Sequence, residues 1–225
     1  MPKNQYKSIE KTPPPRKYST KSMIIWVDEA GRGAWAGPVV AACVLWGGRN
    51  PLKNILRDSK KMTPNDRETT YAEILQLAKV GKLLFGIGII SHDIIDQVGI
   101  REANRLAMRE ALQKMNNDEW RMNNDGFLLI DGRDNYTFDI PALPPPEYIV
   151  RGDSLIPQIM AASILAKVTR DRLMIQYESL FPGYGFARHK GYGTQIHQQA
   201  LWELGVCEIH RKSYKPIQFL HRGTV

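Results

Sequence analysis

Four acidic residues stand where acids are costly. Asp28 and Glu29 close the apolar run Met23–Val27, Asp131 closes Phe127–Ile130, and Asp153 sits in Arg151-Gly152-Asp153 before a long helical pattern. A carboxylate beside a buried strand is disfavoured unless it is paired, hydrogen-bonded or bound to a cation. In open α/β sheets the carboxyl ends of central strands meet at one crevice. Several carboxylates gathered there repel one another, and divalent cations relieve the repulsion. All-oxygen ligands suit Mg2+ or Mn2+ rather than Zn2+. Two such ions astride a phosphate would activate water and stabilise the leaving oxygen. Each acid taken alone has an ordinary explanation, since Asp after a strand commonly shapes a turn and Asp before a helix commonly caps it. The four together favour a metal site.

Two further segments carry chemistry. Ala30-Gly31-Arg32-Gly33 follows directly on Asp28-Glu29. Its glycines let backbone groups approach a ligand, and the guanidinium between them suits phosphate. A tight connection between strands is the plainer reading of Gly-x-Gly alone. Arg188-His189-Lys190-Gly191-Tyr192-Gly193 sets an aromatic ring among basic residues and glycines. That composition suits contact with sugars, bases and phosphates; a core tyrosine in a basic loop is the alternative. The histidines His92, His189, His197, His210 and His221 lack the helical ligand spacing of a zinc site.

These residues need elements to hold them. Met23–Val27 is a continuous apolar run suited to a central strand, and a second run extends from Pro38 to Trp46. Thr63-Pro64-Asn65-Asp66 starts a helix, with a hydroxyl cap, Pro at the first position and an acid three residues after the Thr. Tyr71, Ile74, Leu75 and Ala78 continue it. Leu83–Ile90 reads as a strand in which Gly86 and Gly88 mark weakness or a close approach. Ile100, Ala103, Leu106, Ala107, Leu112 and Met115 define an amphipathic helix, and Phe127–Ile130 a short buried strand. Glu147–Val150 follows three prolines as an edge strand. Leu155 to about Tyr177 is helical, with Ala161, Ala162, Ser163 and Ala166 as a small face, and a last helix spans Thr194–Leu204, stopped by Gly205. This order predicts a mixed sheet covered by helices.

A chain of 225 residues suits one large α/β domain or two small ones. The net charge of +8 is unevenly spread. Residues 1–22 hold six basic residues against Glu10, and residues 207–225 hold four against Glu208, which leaves the body neutral. Basic ends suit contact with a polyanion, or simple solubility. The first 22 residues, with Pro13, Pro14 and Pro15 and no apolar face, read as a flexible basic arm ahead of a domain over 23–225. They do not resemble a secretory signal, and no apolar run is long enough to span a bilayer. Cys43 and Cys207 could form one disulfide but read as reduced thiols of a cytoplasmic protein.

The motifs together resemble the ribonuclease HII family. Val27-Asp28-Glu29-Ala30-Gly31-Arg32-Gly33 with Ala36-Gly37-Pro38-Val39-Val40 looks like its opening motif, and Asp58-Ser59-Lys60-Lys61 like its next. Ile130-Asp131-Gly132 and Gly152-Asp153 with the run Ala161–Asp171 follow in order. His189–Thr194 and Ile209–Tyr214 complete the set, so the likeness covers about Met23 to Pro216. The resemblance implies a ribonuclease H-like α/β fold, a mixed five-stranded sheet flanked by helices with a helical carboxyl-terminal part. It implies that Asp28, Glu29, Asp131 and Asp153 hold two Mg2+ or Mn2+ ions during catalysis. It implies that Gly31, Arg32, Gly33 and Tyr192 read the 2′-hydroxyl and the following nucleotide, with Ser59, Lys60 and Lys190 as further substrate contacts. The implied enzyme is a monomer with no membrane partner. It cuts the RNA strand of RNA-DNA hybrids, and duplex DNA 5′ of a single ribonucleotide, leaving 3′-hydroxyl and 5′-phosphate ends. A 2′-hydroxyl is the group that separates RNA from DNA at a given position.

The sequence departs from the family pattern at Ala34-Trp35, where a Pro and a smaller apolar residue are usual, and at Gly99, where Asn is usual. It also ends soon after Tyr214, which argues against a longer helical extension, and its arm is too short for the folded amino-terminal domain of ribonuclease HIII. A resolvase or integrase on the same fold would also cluster acids, but the Gly-Arg-Gly turn with Tyr192 argues against it. A non-catalytic nucleic-acid-binding module would not need the four acids.

Overall fold

The computed structural model describes residues 23–46, 52, 62–115, 126–141, 143–149 and 157–221. Five strands form one mixed sheet: β1 (Ile24–Ala30), β2 (Val39–Trp46), β3 (Leu84–Ile90), β4 (Phe127–Asp131) and β5 (Pro146–Ile149), in the order β3-β2-β1-β4-β5. β2 runs antiparallel to β1 and β3, while β1, β4 and β5 are mutually parallel. The parallel trio therefore brings three carboxyl ends to one edge of the sheet, the geometry that places ligands in α/β folds.

Strand alternation divides the core. Ile25, Val27, Val39, Ala41, Cys43 and Leu45 face α3 (Ile100–Met115), which contributes Ala103, Ala107, Met108, Ala111 and Leu112. Ala30, Val40, Ala42, Val44 and Trp46 face α1 (Pro64–Lys79) and α4 (Pro157–Leu180). All eight residues of β2 are buried because both faces are covered. Burying each large aliphatic side chain contributes about 1.5–3 kcal/mol before entropy is counted.

Close approach explains the small residues. A methyl group at Gly86 would lie 1.9 Å from the Ala111 carbonyl oxygen, and one at Gly88 would lie 2.0 Å from that of Ala107. α3 thus rests directly on β3. Ala161, Ala162 and Ala166 are fully buried and let α4 do the same on the opposite face. α1 begins with a complete capping box: Thr63 Oγ1 accepts from Asp66 N, and the Asp66 carboxylate accepts from Thr63 N, both at 3.1 Å.

Short helices complete the chain: α2 (His92–Val98), α5 (Phe186–His189), α6 (Gln195–Leu204) and α7 (Lys215–His221). The helix expected to be last is α6, capped by Thr194 and ended at Gly205, and α7 follows it.

Candidate active site

Asp28 and Glu29 leave the end of β1 on opposite faces. Asp28 is 7% exposed; its Oδ1 accepts from the Glu29 N–H at 2.7 Å, and the Ser163 hydroxyl of α4 also bonds it. Glu29 lies on the α3 side, near Asn104, with Oε1 3.4 Å from Arg32 Nη1. Its other oxygen, Oε2, is buried without a hydrogen-bond partner among the described residues. Asp131 ends β4, whose register pairs Ile130 with Val27, so the next step sets Asp131 beside Asp28.

The electrostatics follow from this crowding. Burial raises the Asp28 carboxyl well above the usual carboxylate range, and the charges of Glu29 and Asp131 add to it. Burial also raises Glu29; Arg32 opposes the shift and Asp131 reinforces it. Like charges in a desolvated corner are relieved by a cation. The donor set is hard oxygen, and the orphaned Glu29 Oε2 fits a missing electropositive partner, so these residues suit Mg2+ or Mn2+. Among the described residues, no three His, Cys, Asp or Glu side chains stand in metal-holding geometry. Asp153, the fourth acid expected to be a ligand, lies outside the described residues, as do Ser59 and Lys60.

The Gly31–Gly33 turn is built from beneath. Gly31 has φ +94°, and a methyl group there would lie 2.0 Å from Arg170 Nε, so only glycine fits over that guanidinium. Arg170 is fully buried and donates to the carbonyls of Pro38 at 2.9 Å, Lys190 at 2.9 Å and Ala36 at 3.1 Å. Burial lowers it to about 10, which leaves it charged at neutral pH. Arg211 is equally buried and donates to Arg32, Gly37 and Pro38 carbonyls. It was expected to belong to a basic surface end of the chain; instead it serves as an internal brace for the turn. The Arg32 side chain reaches outward to Asp134 Oδ2 at 2.5 Å.

Glu29, Ala30, Gly31, Arg32 and Gly33 line one side of a cavity of about 400 Å³, and Arg67, Ser163, Ile164, Lys167 and Tyr192 line the other. Tyr192 is 37% exposed, its ring 5.5 Å from Arg170 Cζ and 5.9 Å from Lys167 Nζ. Four of the residues expected to contact substrate, Gly31, Arg32, Gly33 and Tyr192, therefore share one cavity with Glu29. Lys190 does not line it. Its backbone is left-handed at φ 54°, and its amine turns back onto the Ala187 carbonyl. Arg67, Ser163 and Lys167 do line it; Ser163 was expected only on the small packing face of its helix, and Arg67 and Lys167 were not expected to contact substrate. The four-residue step from Ser163 to Lys167 on one helical pattern was the available signal. With Arg32 they give the cavity three cationic side chains, suited to phosphate.

Known proteins resemble this chain in sequence and in fold. The family model for ribonuclease HII matches residues 25–217. A ribonuclease HII of Dehalococcoides mccartyi is 41% identical over 202 residues, 88% of either chain. The crystal structure of ribonuclease H2 from Pyrococcus horikoshii superposes with a TM-score of 0.70 at 20% identity, covering 89% of this chain and 98% of that one. The structure of Bst-RNase HIII in complex with Mn2+ superposes with a TM-score of 0.68 at 17% identity, covering 90% of this chain and 70% of that one. At those identities the solved structures establish the fold, a mixed five-stranded sheet with flanking helices, while the family match and the 41% identical relative establish the enzyme class. The chain belongs to the ribonuclease HII family, metal-dependent hydrolases that act on the RNA of RNA-DNA hybrids.

Proposed function

We propose that this enzyme cuts the RNA strand of RNA-DNA hybrids internally and also cuts duplex DNA on the 5′ side of a single embedded ribonucleotide. The observation that carries this reading is the cavity joining Glu29 to the Gly31–Gly33 backbone and the Tyr192 ring. A pocket that sets backbone amides and an aromatic ring next to the Glu29 carboxylate suits a sugar whose 2′-hydroxyl must be distinguished from hydrogen.

Asp28, Glu29, Asp131 and Asp153 would hold two Mg2+ or Mn2+ ions. When bound, such ions supply an activated water and stabilise the leaving oxygen. The protein's own groups do the rest. Gly31–Gly33 and Tyr192 seat the ribonucleotide and the nucleotide after it. Arg32, Arg67 and Lys167 meet the phosphates, while Ser59 and Lys60 contact the strand. Lys190 contributes through its left-handed turn, which leads the chain to Tyr192 at the cavity. The products carry 3′-hydroxyl and 5′-phosphate ends. The enzyme works as a monomer in the cytoplasm; free Cys43 and Cys207 suit a reducing compartment. No helix among the described residues is long and apolar enough to cross a membrane.

The test is a duplex with one ribonucleotide, incubated with Mg2+ or Mn2+ and mapped at nucleotide resolution. A cut directly 5′ of the ribonucleotide is expected, with none in the all-DNA duplex. Cleavage of both duplexes alike, or at a different bond, would reject the reading.

A further inference from the structure

The loop that carries Tyr192 is held by a buried polar chain outside the cavity. His197 and His210 are each 0% exposed and face one another at 3.0 Å between their Nε2 atoms. The Cys207 N–H lies 3.0 Å from His210 Nδ1, and His197 Nδ1 lies 3.0 Å from the Tyr192 carbonyl oxygen. The Tyr192 carbonyl only accepts, so His197 Nδ1 carries the proton and its Nε2 accepts from His210 Nε2. His210 Nδ1 lies among Cys207 groups, 3.0 Å from its N–H, 3.1 Å from its thiol and 3.2 Å from its carbonyl oxygen. Burial lowers both histidines to about 4, which keeps them uncharged at neutral pH.

The opposite side of the loop rests on Trp35, one of the two residues at which this sequence departs from the family's opening motif. Trp35 N donates to the Gly191 carbonyl at 2.8 Å, and its ring centroid lies 5.7 Å from that of His197. A methyl group at Gly193 would lie 2.1 Å from Trp35 Cζ2. Gly193 has no positive φ, so the indole plate, rather than backbone conformation, excludes a side chain there.

We propose that His197 and Trp35 are positioning residues for Tyr192, setting the pose in which its ring meets the nucleotide beside a single ribonucleotide. The inference rests on the reading that Tyr192 faces the substrate. A continuous RNA strand offers 2′-hydroxyls at every register and tolerates a displaced ring better than an isolated ribonucleotide does.

The experiment compares kcat/KM on a single-ribonucleotide duplex and on a continuous hybrid. His197→Phe keeps a ring and removes both nitrogens; His197→Asn keeps a donor near the place of Nδ1. His197→Phe is expected to lower kcat/KM on the single-ribonucleotide duplex by roughly ten- to a hundredfold, the range for a displacement of up to about 1 Å. The continuous hybrid should lose less, and His197→Asn should recover part of the loss. Repeating His197→Phe in a Tyr192→Ala background separates the two readings. No further loss there is the expected result; the same loss in both backgrounds, or none in either, overturns the positioning role. Tyr192→Ala without effect on either substrate overturns the substrate reading of Tyr192 itself, and the inference with it. If His197→Phe does not fold, Gly193→Ala decides. It presses a methyl group onto the Trp35 indole, so it should lower kcat/KM on the single-ribonucleotide duplex more than on the continuous hybrid; an equal loss on both substrates, or none, overturns the proposal.

Discussion

The Arg211 guanidinium donates from Nη1 to the main-chain carbonyl of Arg32 at 3.0 Å, joining residues 179 positions apart. The same oxygen accepts from the Tyr214 hydroxyl at 2.6 Å. A segment near the carboxyl end of the described residues thereby fixes the turn that follows Asp28 and Glu29.

Arg211→Lys tests that brace. A lysine ammonium cannot reproduce the fork that reaches Arg32, Gly37 and Pro38 carbonyls, so buried acceptors lose their donors. The expected cost is about 2–4 kcal/mol of stability, with Tyr214 alone left on the Arg32 carbonyl. Urea denaturation measures it, and a loss under about 1 kcal/mol would show that lysine or water replaces the fork.

The same residue marks where sequence reading stops. Apolar runs announced four strands, three prolines announced the edge strand β5, and Thr63-Pro64-Asn65-Asp66 announced α1; Gly86 and Gly88 read as weakness or a close approach, and the approach is that of α3. Gly31, Arg32, Gly33 and Tyr192 were legible as a site because turn glycines and an aromatic ring among basic residues are unusual compositions. Arg170 and Arg211 were not. A buried arginine satisfied by distant carbonyls has the same letter as a surface charge, and its partners lie 134 and 174 positions away at Ala36 and Gly37. α2 and α5, of seven and four residues, are too short to show a period. Lys190, expected as a substrate contact, has a left-handed backbone, and its amine meets the Ala187 carbonyl.

Asp131→Asn should eliminate cleavage and leave duplex binding nearly intact. The substitution removes one carboxylate from the proposed metal site and one negative charge that raises Asp28. Less repulsion toward phosphate offsets any lost contact in binding. Gel-shift titration with the cleavage-dead protein and product analysis with Mg2+ or Mn2+ check the two halves. Turnover close to that of the unsubstituted enzyme would remove Asp131 from the ligand set.

The histidine chain predicts a pH dependence of stability. Unfolded histidines titrate near 6.5, whereas His197 and His210 are lowered to about 4 in the fold. Between these values the unfolded chain binds more protons than the folded one. Stability is therefore present above about 6.5 and is lost as pH falls toward about 4. Carboxylates titrate in the same range, so the diagnostic quantity is the stability difference between the unsubstituted protein and His197→Phe. It should shrink as pH falls through that window in urea denaturation. A constant difference would mean that His197 is not held neutral.

The basic arm supplies the last expectation, from charge alone. Residues 1–22 carry six basic side chains against one acid, lie outside the described residues and precede Asp28. Contacts between such charges and phosphates release counterions, so they strengthen binding to any duplex and fade as salt rises. Deleting residues 1–22 should weaken binding to hybrid, single-ribonucleotide and all-DNA duplexes by a common factor. The slope of log affinity against log salt should flatten by roughly one to three phosphate contacts. Turnover at saturating substrate and the position of the cut should not change, because the acids, the Gly31–Gly33 turn and Tyr192 all lie beyond the deletion. Titrations of both proteins across a salt series measure the slopes directly. Superimposable slopes would leave the arm with no part in duplex binding, and a shifted cut site would give it a part in choosing the bond.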